Sequence, residues 1–311
     1  MDFDARGSRA IETCDAPRGD AVRWLHFDLV HQGTHRWLTA RALLPPAVRD
    51  LMLQADTHQR ALVDGDVVAL VLHDFERDFD VDDTARVGAL RIALAPGLIV
   101  TGRQHPLVSF DVVRARLART GEGLGPGDAL DLMVTAISER VAELARGLAG
   151  EILRAEEAFL DGYRPPDTRE LIAIRRRLAQ LHRLLSGMRG VFGRLEHADD
   201  MPDPLLPAVR KLSQQLHAID ADILASQNEL RLLRDDLDAQ ATQRTNQNLY
   251  ILSVVTALML PATLVTGVFG MNTGGMPFAG GSWGTLHAVV IAAAGSATTY
   301  ALLRWRGFMR G

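Results

Sequence analysis

The spacing of hydrophobic and polar residues changes near Pro106. Before that residue, short apolar runs alternate with turn residues: "VRWLHFDL" indicates a strand, and "RALVDGDVVALVLHDF" indicates a hairpin that turns at Asp64-Gly65. "ARVGALRIALAPGLIVTGR" indicates a second strand pair, broken at Pro96-Gly97. After Pro106, apolar residues recur every three or four positions, which predicts amphipathic helices. The pattern therefore predicts an α+β fold, in which a mixed α/β domain is followed by long helices.

Two segments near the C-terminus are long and apolar enough to cross a membrane. Leu249–Phe269 and Gly284–Leu303 each span about 20 residues, the length that crosses ~30 Å of hydrocarbon. No Lys, Arg, Asp or Glu occurs from Thr245 to Leu303. A buried core helix is the alternative for the first segment, but two adjacent uncharged spans favour a membrane hairpin. Arginines precede the first span and follow the second, so the positive-inside bias places both termini in the cytoplasm.

The helix that leads into the first span carries a heptad seam. No Gly or Pro interrupts the chain between Pro207 and Pro261, so the pattern predicts one helix over 204–269, ~100 Å long at 1.5 Å per residue. The seam has one polar member, Ser226, and its apolar members are Val209, Leu212, Leu216, Ile219, Ile223, Leu230, Leu233 and Leu237. Such a seam packs either on the preceding helices or on copies of itself. We expect an oligomer.

Composition and charge exclude several classes of function. The 311-residue chain has a net charge of −4, and the three arginines after Leu303 contribute +3, so residues 1–244 carry −7. This acidic balance without a basic cluster argues against nucleic-acid binding. The single cysteine, Cys14, excludes an intramolecular disulfide and a cysteine-based zinc cage. The sequence contains no P-loop or HExxH motif, so it predicts no enzyme.

One stripe of the first span is rich in polar and small residues. At steps of three and four it contains Asn246, Leu249, Ser253, Thr256, Leu260, Thr263, Gly267 and Gly270. A helix face that contacts lipid gains nothing from Asn, Ser and Thr. The alternative is that the hydroxyls bond to their own helix, or that small residues let helices approach. Around a symmetry axis, such stripes would line a narrow pore with rings of hydroxyl and amide oxygens.

The stripe leads to an uncharged, Gly-rich turn that begins Gly270-Met271-Asn272. An Asn after a helix end is often a C-cap. A ring of neutral amides can instead accept hydrogen bonds from the waters around a hydrated cation, without removing those waters. Because the stripe has no His, Cys, Asp or Glu, it does not predict a dehydrated Zn²⁺ site in the membrane.

The stretch "PATLVTGVFGMN" resembles the signature of the CorA family of metal-ion transporters, in which a Gly-Met-Asn tripeptide closes the first of two C-terminal spans. Pro261, Gly267 and the tripeptide fit that signature. The continuation "TGGMP" resembles the ZntB-type zinc transporter branch, since Phe278 stands where the magnesium branch usually has an acidic residue. "WLHFDL" and "LIVTGR" are also similar to the cytosolic domain of that branch, so the resemblance covers most of residues 21–311.

The resemblance implies a homopentamer whose cytosolic α/β domains form a funnel, with a stalk helix from each subunit that continues as the pore-lining helix. It implies that Asn272, beside Gly270 and Met271, is the selectivity-loop Asn. Thr263 and Asn246 match polar pore positions, and Leu249 and Leu260 match apolar constrictions. The corresponding segments are a flexible N-terminus (1–20), the cytosolic domain (21–165), the helical stalk region (166–248), the first transmembrane helix (249–269), the periplasmic loop (270–283), the second transmembrane helix (284–303) and a basic cytosolic tail (304–311).

Other polar residues offer further sites. His31 and His35 are four apart, but Gly33 between them predicts a loop and no helical ligand pair. His217 and Asp220, three apart on the stalk, suit either a regulatory metal or a surface pair. His287 is the one histidine in a span, near the outer mouth, where a proton or metal role is an alternative. The three acids just before the membrane either form a solvated helix face or enrich cations at the inner mouth: Asp235, Asp236 and Asp238.

The sequence therefore predicts a multi-pass protein of the bacterial inner membrane that transports divalent cations. No ATP site is present, so the ion would move down a gradient or with a coupled ion. The resemblance favours Zn²⁺ as the transported ion, coupled to protons, with no permanently bound cofactor. A Mg²⁺/Co²⁺ channel of the same family is one alternative. A non-conducting, membrane-anchored oligomeric scaffold is the other.

Overall fold

A computed structural model describes residues 2–4, 7–9, 22–41, 43–77, 86–117, 124–161, 166–271 and 283–306 of the chain. The chain divides into two compact units, Met1–Leu233 and Arg234–Gly311. The strands are β1 (Asp2–Asp4), β2 (Gly7–Arg9), β3 (Val22–Asp28), β4 (Arg60–Asp64), β5 (Val67–Phe75), β6 (Val87–Ala95) and β7 (Leu98–Arg103). The helices are α1 (Gln32–Ala40), α2 (Pro46–Leu53), α3 (Val108–Leu117), α4 (Pro126–Leu160), α5 (Thr168–Glu196), α6 (Leu206–Gly270) and α7 (Gly284–Trp305).

The first unit is built on a mixed seven-stranded sheet with the order β2-β1-β3-β7-β6-β5-β4. β4 and β5 form an antiparallel hairpin, as do β6 and β7, and β3 joins β7 in parallel. Both hairpins turn where the sequence predicts. Gly65 and Gly97 have φ values of 59° and 71°, a left-handed conformation that residues with a Cβ rarely adopt.

Helices cover both faces of the sheet. On one face, alanines and valines of the strands pack against α1 and α2 through Leu38, Val48 and Met52. On the other face, α3, α4 and α5 contact the central strands. Leu70 and Ile92 are fully buried. Since successive strand residues point to opposite faces, this double cover explains why β5 and β6 read as nearly continuous apolar runs.

The seam at the start of α6 packs inside its own chain. Val209, Leu212, Leu216, Ile223, Leu230 and Leu233 are all buried in the first unit. Polar contacts join this helix to its neighbours: Lys211 Nζ lies 2.9 Å from Asp131 Oδ2 on α4, and Gln215 donates to Ser138 Oγ over 2.9 Å. The sequence allows the seam to pack on the preceding helices or on copies of itself, and the structure shows that it packs on the preceding helices. The seam itself gives no argument for an oligomer.

The loop predicted around His31 and His35 is wrong, because Gly33 lies in α1. His31 caps this helix, and its Nδ1 accepts from the Gly33 amide over 3.4 Å. His35 Nε2 lies 3.2 Å from the Leu29 carbonyl oxygen. A histidine N-cap thus starts a helix despite the glycine within its first turn. The two rings make separate local contacts and do not converge on a shared ligand position.

Candidate functional site

α6 and α7 pack closely in the second unit. A Cβ added to Gly295 would lie only 3.1 Å from Pro261 Cβ, so the glycine permits the close approach of the two helices. Pro261 has no N–H, and the carbonyl of Ala257 therefore loses its helical donor. At the neighbouring carbonyl, Ser296 Oγ donates to Leu258 O over 2.9 Å. α7 thus supports α6 next to the interruption in its hydrogen bonds.

The polar stripe lies on the side of α6 that faces away from α7. The half-buried positions that face α7 are Val254, Ala257, Leu258, Pro261, Ala262, Val265 and Phe269. Every member of the stripe from Asn246 to Gly270 is exposed. At ~100° per residue the centres of the two sets lie about 160° apart around the helix. α7 therefore does not cover the stripe.

The hydroxyls of the stripe all bond back to their own helix. Each donates to the carbonyl four residues earlier, over 2.8 Å for Ser253, 2.7 Å for Thr256 and 2.9 Å for Thr263. A hydroxyl that has donated its only hydrogen keeps two acceptor lone pairs. The back-bonding that the sequence offers as an alternative is therefore present. It leaves the outward side of the stripe with hydrogen-bond acceptors from its hydroxyls.

Two further threonines extend the stripe toward the N-terminal end of α6. Thr242 and Thr245 are exposed, and they donate to the carbonyls of Asp238 and Ala241 over 2.8 and 2.9 Å. They share the face of Asn246 and Leu249 at helical spacing. Continuing the steps of three and four backward from Asn246 would have found both residues. The predicted stripe omits both threonines because it begins near the apolar span.

Aromatic residues mark the ends of the hydrophobic hairpin. Trp283 and Trp305 are 65% and 82% exposed, and the 22-residue helix α7 between them spans about 33 Å, close to the hydrocarbon thickness. The contact between Ser296 and Leu258 sets Arg304 level with Tyr250 on α6. Aromatic side chains favour the membrane interface at both ends. α6 and α7 are also the two helices long and apolar enough to span a membrane among the residues described.

The three acids before the span do not share one face. Asp235, Asp236 and Asp238 are exposed on α6, about 18–23 Å before Tyr250 along the helix. Asp235 and Asp238 lie on the side of the stripe, whereas Asp236 points to the side of α7. Between Asp235 and Gly270 the single basic residue is Arg244, which also lies away from the stripe. The stripe's side of α6 thus has acids and acceptors, and no base in this interval.

The remaining predicted residues are not brought to the stripe. Gly270 ends α6 and Met271 follows it, 56% exposed, while Asn272 lies outside the described residues. His287 is exposed on α7, and its Nδ1 lies 2.9 Å from the Trp283 carbonyl oxygen. By helical spacing it points about 120° away from the side of α7 that faces α6.

The proposed pairing of His217 with Asp220 is wrong, because Asp220 is fully buried. Its Oδ1 lies 2.7 Å from His182 Nδ1, and its Oδ2 accepts from Arg189. His217 Nδ1 lies 2.7 Å from the Ser213 carbonyl oxygen instead. A buried acid on α6 thus binds two side chains of α5. In the part of the chain that the structure describes, no three metal-ligating side chains form a group.

Comparisons with known proteins agree with this geometry. Over residues 19–305 the chain matches the family described as CorA-like Mg2+ transporter protein. The zinc transport protein ZntB of Pectobacterium carotovorum subsp. carotovorum (strain PC1) is 28% identical over 279 residues, which cover 87% of this chain and 83% of that protein. The full-length CmaX structure matches with a TM-score of 0.80 at 23% identity, covering 97% of this chain and 95% of its own.

The complete structure of the CorA magnesium transporter from Methanocaldococcus jannaschii matches with a TM-score of 0.77 at 16% identity. The match covers 97% of this chain and 96% of that chain. At these identities the two structures establish the fold, including the long helix and the C-terminal hairpin.

Proposed function

This chain belongs to the CorA-like family of divalent-cation transporters, and on that premise we propose that it conducts Zn²⁺ through a pore lined by the polar stripe of α6 in a homopentamer. The family transports ions and has no enzymatic activity. In this proposal the first unit is the cytosolic funnel domain, and residues 270–283 face the periplasm of a bacterial inner membrane. Both termini are then cytoplasmic.

The observation that carries the proposal is the exposed row of acceptor oxygens on α6. In a single subunit this row faces away from α7, and further copies of the chain would enclose it. Five copies around an axis would convert each back-bonded hydroxyl into a ring of lone pairs. Such rings attract cations and the hydrogens of their hydration water, and they offer anions no donor from these hydroxyls.

The proposed ion passes with most of its water. Thr and Ser oxygens are weak ligands for zinc, which prefers His, Cys and carboxylate side chains in tight sites. The stripe has none of these, so it cannot replace a complete hydration shell. Leu249 and Leu260, both exposed on the stripe, would form apolar constrictions between the hydroxyl rings. In the proposed pentamer, Asn272 holds the hydrated ion at the outer mouth.

Zinc is favoured over magnesium by the sequence relatives. The protein at 28% identity is named a zinc transporter, and Phe278 replaces the acid expected in the magnesium branch. A magnesium channel remains the second candidate, since the archaeal structure with the same fold is named a magnesium transporter. The scaffold alternative explains the hairpin. It gives no role to the exposed acceptor stripe.

Metal uptake into liposomes that contain the purified protein tests the proposal. We expect Zn²⁺ entry to exceed Mg²⁺ entry and to respond to an imposed pH gradient. Asn272→Ala, in protein that still assembles, is expected to abolish or deregulate that entry. Mg²⁺ entry that ignores pH would support the channel. No flux of either ion through a well-folded oligomer would support the scaffold.

Asp235 and Asp238 are expected to concentrate cations at the cytosolic end of the pore. Replacing both with Asn should lower the initial flux about five- to tenfold at low ionic strength, and much less at 0.5 M salt, because exposed charges are screened. Asp236→Asn is the matched control, since this acid lies on the opposite side of α6. An equal loss of flux in the double variant and in Asp236→Asn would contradict an electrostatic role for this face. A loss of flux that does not depend on salt would contradict it as well.

A further inference from the structure

Three arginines lie around the end of the hairpin where the first span begins and the second span ends. Arg304 and Arg306 lie at the end of α7, and Arg244 lies on α6. Counting from the contact between Ser296 and Leu258, Arg306 is level with residue 248, and Arg244 lies about 6 Å further along the axis. Arg244 is on the side of α6 to which α7 packs. All three side chains are exposed.

This arginine cluster, defined as Arg244, Arg304 and Arg306, lies where lipid headgroups begin. Tyr250 and Trp305 are 43% and 82% exposed at the same level, and such aromatic residues favour the boundary between hydrocarbon and headgroups. From Thr245 to Leu303 the chain is uncharged. The three guanidinium groups are therefore the first full charges met on leaving the hydrocarbon on this side of the hairpin.

The cluster carries positive charge that no acid in the described residues neutralises. In the described segments no carboxylate forms an ion pair with any of the three. The closest acids in sequence, Asp235 and Asp238, lie on the stripe's side of α6, well over 90° around the helix from Arg244. A guanidinium group binds phosphate oxygens through paired N–H donors, and its planar form suits a headgroup phosphate.

We propose that the arginine cluster binds anionic phospholipid headgroups of the leaflet in which the first span begins and the second span ends. The proposal rests on the placement of α6 and α7 in the membrane. It does not depend on which ion the stripe conducts. Headgroup phosphates would bind around the ends of the two helices, with Arg306 and Arg244 on the sides where α6 and α7 meet and Arg304 about 140° around α7 from α6. Trp305 and Tyr250 would contact the upper acyl chains. α6 would then have anionic headgroups bound on the side where α7 packs, and cations attracted to the opposite side, which contains the stripe.

Native mass spectrometry of the full chain tests the proposal. The protein is equilibrated in detergent with equal amounts of phosphatidylglycerol and phosphatidylcholine, and the retained lipids are counted. We expect phosphatidylglycerol to be retained preferentially. Each arginine near a charged headgroup contributes about a fivefold preference. In the variant Arg244→Gln, Arg304→Gln, Arg306→Gln the preference for phosphatidylglycerol should therefore fall by about a hundredfold.

A second triple variant provides a charge-matched control. Arg175, Arg176 and Arg177 are exposed on α5 in the first unit, and changing all three to Gln should leave the lipid preference unchanged. Orthophosphate at millimolar concentration should not displace the lipid, because it lacks acyl chains. Equal loss in both triple variants would overturn the proposal, as would equal retention of the two lipids or displacement by orthophosphate. Metal flux is not measured, so a non-conducting protein could still pass the test.

Discussion

A Thr256→Cys variant is expected to lose cation flux when a positively charged methanethiosulfonate reagent is attached to the new thiol. The background is Cys14→Ser, which removes the one native cysteine. Thr256 is exposed on the stripe, at the depth of the first span. Labelling requires water, since the reactive species is the thiolate. A conducting stripe therefore predicts both rapid labelling and a blocked pore.

The size of the block follows from electrostatics. Two unit charges 4 Å apart repel by about 4 kcal/mol at an effective dielectric constant of 20, and a divalent ion doubles that energy. Every labelled subunit adds one such charge to the ring. We expect flux through labelled protein to fall at least about a hundredfold, given that 1.36 kcal/mol corresponds to a factor of ten.

Val255→Cys is the matched control for this experiment. Val255 is 49% exposed, one residue away from Thr256 and at nearly the same depth, but it lies about 120° around the helix from the centre of the stripe. Facing lipid, its thiol should label at least about a hundredfold more slowly, and the label should leave flux intact. Similar labelling rates at the two positions would contradict a water-filled path along the stripe and favour the scaffold.

The first unit is expected to contain two titratable groups, one buried and one partly buried, whose effects on stability oppose each other between about pH 4 and pH 6. Burial raises the pKa of Asp74 to about 6, although Ser109 donates to its Oδ1 over 2.8 Å. Burial, followed by the charge of Arg103, lowers the pKa of His26 to about 4. His26 stacks on Phe110, with ring centroids 3.7 Å apart.

The sign differs for the two groups. Native Asp74 holds its proton to a higher pH than the unfolded chain, so the free energy of unfolding falls as the pH rises from about 4 to about 6. The unfolded chain protonates His26 at a higher pH than the native state, so this group makes the free energy of unfolding rise over about pH 4 to 6.5. Each shift of about two pKa units corresponds to ~3 kcal/mol.

Thermal unfolding of the full chain in detergent would separate the two effects. With Asp74→Asn, the melting temperature should rise between pH 4 and pH 6, by about 5–10 °C for a unit of this size. With His26→Gln it should fall by a similar amount over the same interval. The test depends on how the melting temperature changes with pH. A general destabilisation by either substitution lowers the melting temperature at every pH and does not alter that change. Parallel pH profiles in the two variants would refute the opposing roles.

The strands and both hairpins could be predicted because their signals are local. Asp64-Gly65 and Pro96-Gly97 set the turns, and the apolar runs around them have strand length. The seam of α6 showed equally clearly that it would be buried. Periodicity does not identify the partner, so only the structure shows that α4 and α5 cover it. Asp220 illustrates the same point: spacing suggested His217 as its neighbour, whereas burial against α5 gives it His182 and Arg189.

The polar stripe was predicted as a face, and the structure adds its direction and its polarity. Helical spacing placed Ser253, Thr256 and Thr263 on one side, but it could not show that α7 lies on the other. Spacing also says nothing about where a hydroxyl hydrogen points. The short distances to the carbonyls four residues earlier supply that information. Gly295, a small residue in an apolar span, gave no sequence signal for its close contact with Pro261.

Back-bonded hydroxyls have one more consequence, for protons. No side chain of the stripe from Asn246 to Gly270 gains or loses a proton near neutral pH, so the stripe cannot relay protons by successive ionisation. A proton that accompanied the metal ion would have to travel as an excess charge in the water column, passed from one water molecule to the next. The hydroxyl oxygens would orient those water molecules by accepting hydrogen bonds from them. The metal ion and the proton would then move along the same column of water.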